Sequence, residues 1–164
     1  MIDVASITDV YSWIKTAHII SATILLGMGF GSAFFKLQVD RSGNLDAIVF
    51  ASRTVVRLDW LFTAPAVVVQ LGTGLAMVQL GGYALTEAWL IFALGFFLLT
   101  GCCWIPAVCI QLRCRDLASR AAQSGTALPS EYVRLSRIWF WLGVVGFTSV
   151  WILVGLMVMK PAWA

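Results

Sequence analysis

Residues 88–112 read AWLIFALGFFLLTGCCWIPAVCIQL and contain no charged side chain. About 20 helical residues cross the roughly 30 Å of hydrocarbon in a bilayer, because an α-helix rises about 1.5 Å per residue. Backbone N–H and C=O groups find no water in hydrocarbon, so a segment of this kind crosses it as a helix. The stretch therefore predicts a transmembrane α-helix.

Three further apolar stretches accompany this one, at residues 13–37, 58–80 and 138–159. The chain of 164 residues is 60% hydrophobic and 12% charged, with a mean hydropathy of +0.90. Soluble domains carry roughly 25% charged residues, so the composition excludes a water-soluble domain. We predict an all-α fold, a four-helix transmembrane bundle in which residues 1–164 form a single integral membrane domain in contact with lipid.

Charge and cysteine content exclude other classes of protein. The chain has 11 basic and 8 acidic residues, and this net charge of +3 makes no basic patch for nucleic acid. Its four cysteines fall within one apolar segment and its end, which is not the pattern of a secreted disulfide framework. We interpret them as small packing residues, in preference to metal-binding or redox-active thiols.

The basic residues predict the orientation of the bundle, because Lys and Arg in short connections stay on the cytoplasmic side. Residues 79–87, between the second and third spans, contain neither Lys nor Arg. The other two connections hold Lys36, Arg41, Arg53, Arg57, Arg113, Arg115, Arg120, Arg134 and Arg137. We therefore predict that these two connections are cytoplasmic and that both termini lie outside (N-out/C-out).

Helical periodicity extends into both basic connections. After the turn at residues 41–44, apolar residues recur at helical spacing, so the second helix is predicted to begin before the membrane. The third helix is predicted to continue to Gln123, and the fourth to restart after Pro129 with Ser130 as its N-cap. The result is two helical hairpins on the cytoplasmic side.

Small residues and a short repeat indicate where helices meet. Glycines on a membrane helix usually mark contact faces, and this prediction covers Gly27, Gly31, Gly72, Gly74, Gly95, Gly101, Gly143 and Gly146. The second and third spans share the pattern PAVVVQ at residues 65–70 and PAVCIQ at residues 106–111. Each proline bends its helix, and we expect the following glutamine to form a hydrogen bond across the bundle.

The only histidine, His18, is the first candidate functional residue, because ionisable groups inside a bilayer are costly. Lys15, Ser21 and Ala22 share its helical face. A neutral imidazole there is a metal ligand, a proton carrier or an interhelical hydrogen-bond partner, and spacing alone leaves these open. A haem on this face would have His18 on iron, Lys15 near a propionate, and room for the ring beside Ser21 and Ala22.

Any haem in this chain would be bound by one histidine only. The sixth position would then be empty or taken by water, by a methionine such as Met28, or by a residue of another subunit. A second candidate is Asp59, at the start of the second span. We expect Asp59 to be solvated or paired with Arg137, in preference to acting as a proton site.

The residues 13–21, WIKTAHIIS, resemble the first helix of the HemJ-type protoporphyrinogen oxidases and the related CopD-like membrane proteins. The chain is most similar to the predicted integral membrane branch of that superfamily, through DWLFTAP at residues 59–65, Gln70, and residues 104–111. The resemblance implies haem b on His18, a homodimer in the bacterial inner membrane, and oxidation of a porphyrinogen with electrons passing to a respiratory carrier.

The chain departs from the oxidase pattern at two places. It has SAFFK at residues 32–36 where the oxidases have a Pro-Arg pair, and WLIFA at residues 89–93 where they have a lysine. Those charges are natural partners of porphyrin carboxylates. The resemblance therefore implies haem ligation by His18 more strongly than it implies a porphyrinogen substrate.

Two functions of different classes follow from these observations. The first is a membrane haem b-binding protein with a redox or a haem- or porphyrin-handling role, which as an enzyme would be a haem-dependent oxidoreductase without assigned catalytic residues. The second is a cofactor-free accessory or structural subunit of a larger membrane complex. A third, copper transport, is weaker because the methionines show no paired spacing.

The predicted orientation is testable with alkaline phosphatase, which is active only outside the cytoplasm. Fusions after Gly82 and at the C-terminus are expected to be active, and a fusion after Gly125 is expected to be inactive. The reason is that the connection containing Gly125 is basic and therefore cytoplasmic, whereas residues 79–87 contain no Lys or Arg. A fluorescent protein fused at the same three positions serves as the complementary control. Activity after Gly125 would reverse the orientation.

Overall fold

The computed structural model describes residues 4–161, with side chains from residue 8 onward, and no strand occurs among them. The helices are α1 (Val4–Ser42), α2 (Leu45–Leu58), α3 (Ala64–Leu80), α4 (Ala88–Gln123) and α5 (Ser130–Met159). A π-helical turn, Asp59–Thr63, joins α2 and α3 into one long helix. Four helices of the described chain are therefore long and apolar enough to cross a membrane, which confirms the predicted fold class.

Both predicted hairpins are present. α1 and α2 turn at residues 43–44, and α4 and α5 turn at residues 124–129; we call the end of the molecule with these two turns the hairpin end. The Asn44 side chain caps α2 by accepting a hydrogen bond from the Ala47 N–H. The prediction for Ser130 is wrong by one residue: Pro129 has the extended backbone of a cap (φ −69°, ψ 151°), so Ser130 begins the helix.

The helices pack as two layers that meet near the hairpin end. α1 lies against α2 and α3, and α4 lies against α5. α2 joins the layers by packing on α4, whereas α3 packs on α1 rather than on α4 or α5. The buried cluster between the layers comprises Ile48, Cys114, Leu117, Ala118 and Tyr132.

Most of the glycines do not lie at helix contacts. Nothing stands within 4 Å of a Cβ built at Gly27, Gly31, Gly72, Gly95, Gly101 or Gly143, so the prediction is wrong for these positions. It is right for Gly74 and Gly146, which face His18 and Cys103. Small residues permit close approach, but polar side chains that need partners decide which face of each helix turns inward.

A buried charged cluster connects α1 to α5. Lys36, which the sequence places among the cytoplasmic basic residues, is 1% exposed, and its Nζ lies 2.6 Å from Asp40 Oδ2 and 3.0 Å from the Tyr132 hydroxyl. The same hydroxyl donates to Asp40 Oδ1, and Ser136 donates to Asp40 Oδ2. The ammonium also lies over the rings of Tyr132 and Trp139. Every polar group of this cluster therefore has a partner on a neighbouring turn or helix.

Asp40→Ala is expected to lower the free energy of unfolding by about 3–5 kcal/mol, because it leaves the ammonium of Lys36 buried without its counter-ion. The matched control is Asp46→Ala, which removes an exposed acid at the start of α2 and should cost less than about 1 kcal/mol. Unfolding in detergent, followed by circular dichroism, measures both. Equal stability of the two variants would refute the assigned role of the cluster.

Candidate functional site on α1 and α3

The His18 side chain lies between α1 and α3 and is half-buried. Gly74 of α3 stands opposite its ring, and a Cβ built there would come within 3.2 Å of His18 Cε1. This is tighter than most side-chain contacts, so the glycine provides space that the imidazole fills. The contact orients the ring toward α3.

Both ring nitrogens of His18 have hydrogen-bond partners on α3. The Gln70 side-chain nitrogen lies 2.9 Å from Nε2, and the Thr73 hydroxyl lies 2.9 Å from Nδ1. The Gln70 amide is oriented by Ser21, whose hydroxyl donates to its oxygen. Since an amide nitrogen only donates, Nε2 accepts and Nδ1 carries the proton. The Thr73 hydroxyl accepts the hydrogen bond from this N–H and donates its own hydrogen bond to the Val69 carbonyl.

The hydrogen-bond network therefore assigns the proton of a neutral imidazole to Nδ1 and the lone pair to Nε2. Of the other predicted site residues, Ser21 is 3% exposed and belongs to this network. Ala22 is half-buried beside it. Lys15 is exposed, one helical turn nearer the N-terminus, and forms no ion pair with any described residue.

Gln70 and Thr73 complete the site, and only one of them was indicated by the sequence. The repeat PAVVVQ predicts that Gln70 bonds across the bundle, and its bonds to His18 and Ser21 of α1 confirm this. Thr73 follows three residues later, on the same face of α3. A threonine in an apolar helix commonly bonds its own backbone, so the sequence contained no signal for its contact with His18.

The second candidate, Asp59, is buried at the π-helical turn, and the side chains of Thr63 and Gln111 adjoin its carboxyl group. The predicted pair with Arg137 is absent: Arg137 is exposed, and no ion pair of the described residues includes Asp59. The reason is the packing, since the π-helical turn that carries Asp59 lies against α1, α2 and α3. Gln111 of α4 is the glutamine of the second PAV repeat, and it too is directed across the bundle.

The described residues offer few protein ligands for a metal. They include no group of three or more His, Cys, Asp or Glu side chains placed to hold an ion. The four cysteines are free thiols, Cys103 and Cys114 buried and Cys102 and Cys109 exposed. A metal on His18 would consequently need its remaining ligands from a cofactor or from another chain.

The family model described as "Predicted integral membrane protein (DUF2269)" matches residues 12–161. The chain belongs to this family, which agrees with the predicted integral membrane branch named above. Comparison with curated proteins and with solved structures finds no match. The match does not extend to the HemJ-type or CopD-like proteins.

Gln70→Leu removes the partner of His18 Nε2 and of Ser21, and we expect it to lower the free energy of unfolding by about 1–2 kcal/mol. Single interhelical hydrogen bonds in membranes contribute about 0.6 kcal/mol on average, and about 1.7 kcal/mol at most. Gln79→Leu is the matched control, because Gln79 is exposed at the end of α3. Chemical unfolding in detergent compares them, and an unchanged Gln70→Leu protein would argue against the network.

Proposed function

We propose that this member of the DUF2269 family is a multi-pass membrane protein that binds haem b, with His18 as the axial ligand of the iron. Its role would be in redox chemistry or in the handling of haem or porphyrin. The observation that carries the proposal is the hydrogen bond between His18 Nδ1 and the Thr73 hydroxyl, which assigns the ring proton to Nδ1 and the lone pair to Nε2. Ligating histidines usually have this arrangement, in which a hydrogen bond on the second nitrogen orients the ring.

Binding of such a ligand would exchange one hydrogen bond of His18 for the bond to iron. The Gln70 amide must leave Nε2, and a neutral hydrogen bond contributes only about 0.5–1.5 kcal/mol. Lys15 is exposed and free of ion pairs within the described chain, so its ammonium is available to a propionate. Ser21 and Ala22 are small and lie on the same helical face.

Haem, when bound, supplies one-electron chemistry, and the protein supplies orientation, electrostatics and exclusion of water. In this chain Thr73 would hold the ring of His18 and fix its proton, while the apolar helices keep water from the site. The resemblance of residues 13–21 to the HemJ-type oxidases supports the same ligand. It also suggests a homodimer in the bacterial inner membrane and a haem-dependent oxidoreductase.

A cofactor-free accessory or structural subunit of a larger membrane complex is the second candidate. The observation that favours it is that the chain itself satisfies both ring nitrogens of His18. In that case His18 joins α1 to α3 and has no external ligand. The two proposals differ in what happens when the Gln70 amide is removed.

Absorption spectra of protein purified in detergent from haem-supplied cells, oxidised and dithionite-reduced, distinguish the proposals. We expect a Soret band that sharpens on reduction in the wild type and is lost in His18→Ala. In Gln70→Leu the band should be retained or increased, because Nε2 no longer has a competing donor. Gln79→Leu is the control for loss of a glutamine at an exposed position.

A colourless wild type that keeps its helical circular dichroism would contradict haem binding. Destabilisation of both His18→Ala and Gln70→Leu in that colourless protein would favour the structural role of His18. A Soret band that survives His18→Ala would instead place the haem elsewhere.

A further inference from the structure

Two buried oxygen atoms near the π-helical turn have no hydrogen-bond partner. Asp59 is 9% exposed and Gln111 is 7% exposed, and the unpartnered atoms are Asp59 Oδ2 and Gln111 Oε1. Both atoms accept hydrogen bonds and donate none while the carboxyl is ionised. The two side chains nevertheless adjoin each other, with Thr63 as the third polar group beside the carboxyl. Neither of these acceptors therefore has a hydrogen-bond donor.

The surroundings supply no positive charge to an ionised Asp59. No residue of α3 is titratable, and no ion pair of the described chain includes Asp59. The π-helical turn packs on α1, α2 and α3. Toward the hairpin end, the buried titratable groups are Lys36 of α1, with its partner Asp40, Cys114 of α4 and Tyr132 of α5, and Arg57 of α2 lies two residues before Asp59. The charge of Lys36 is balanced by Asp40, and Tyr132 donates a hydrogen bond to the same carboxylate. Arg57 is exposed, and Cys114 is a buried thiol.

An ionised carboxylate without a partner is among the most costly groups to bury. Buried charges are normally paired or coordinated, and otherwise the group becomes neutral. A proton on Oδ2 would remove the buried charge and turn this atom into a donor, for which Gln111 Oε1 is an unpartnered acceptor. The Gln111 amide nitrogen can meanwhile donate to the other carboxyl oxygen, which gives the paired hydrogen bonds of a carboxylic acid with a primary amide.

We propose that Asp59 is a proton-binding site within the membrane domain, with Gln111 as the acceptor of the carboxyl proton. The proton is taken from water, no electron is transferred, and the carboxylate becomes the neutral acid. Polar groups continue from the site toward the hairpin end: Ser52 lies seven residues before Asp59, and its hydroxyl is 3.5 Å from that of Tyr132. Tyr132 in turn bonds Asp40, which is 15% exposed.

Infrared spectroscopy of the protein in lipid vesicles tests the proposal, because a neutral carboxylic acid has a carbonyl stretch separate from those of carboxylates and amides. At neutral pH the wild type should show this band, and Asp59→Asn should lose it. Asp46→Asn removes an exposed acid and should leave it unchanged. Gln111→Leu should move the band to higher frequency, because the acid loses its amide partner.

Several results would overturn the assignment. The first is the absence of the neutral-acid band in the wild type, and the second is its persistence in Asp59→Asn. The third is its loss when sodium chloride is added at constant pH, because that result would identify a sodium site. If the Asp59→Asn protein does not accumulate in cells, the frequency shift of the band in Gln111→Leu identifies Asp59 as the neutral acid. An unshifted band in Gln111→Leu would refute the proposal. The His18→Ala protein should keep the band, so this result is independent of haem binding.

Discussion

The buried ammonium of Lys36 is the constraint on which the arrangement of the helices depends. A charge that is 1% exposed is tolerated only with partners, and these come from Asp40 on the next turn of α1 and from Tyr132 on α5. The cluster fixes the rotation of α1 and its register against α5. With that rotation, His18 faces α3, while Gly27 and Gly31 border a groove of about 400 Å³ between α1 and α5.

The two glutamines of the PAV repeat perform related roles in different layers. Gln70 bonds His18 and Ser21 between α3 and α1, and Gln111 meets Asp59 between α4 and the π-helical turn. In each pair a primary amide, which can both donate and accept hydrogen bonds, lies beside a titratable side chain in apolar surroundings. They differ in one respect: the histidine is fully bonded, whereas the aspartate and its glutamine each keep an unpartnered acceptor.

The long helix formed by α2, the π-helical turn and α3 carries four of the eight buried polar or charged side chains of the described residues. Its inward polar residues recur at helical spacing: Ser52, Asp59, Thr63, Gln70 and Thr73. Hydrocarbon provides no hydrogen bonds, so each of these side chains must turn toward protein. This requirement sets the orientation of the helix more strongly than its glycines do, which explains why Gly72 faces open space.

Hydropathy and connection length alone determined the fold class, the four spans and both hairpins, because hydrocarbon thickness and backbone hydrogen bonding leave few alternatives. The sequence also identified His18, Asp59 and the two glutamines, since polar residues are conspicuous in apolar segments. Only the tertiary structure decided their partners: Thr73 for His18, Gln111 rather than Arg137 for Asp59, and burial rather than exposure for Lys36. Partner choice depends on how each helix is rotated and which neighbour it meets, and periodicity within one helix does not contain that information.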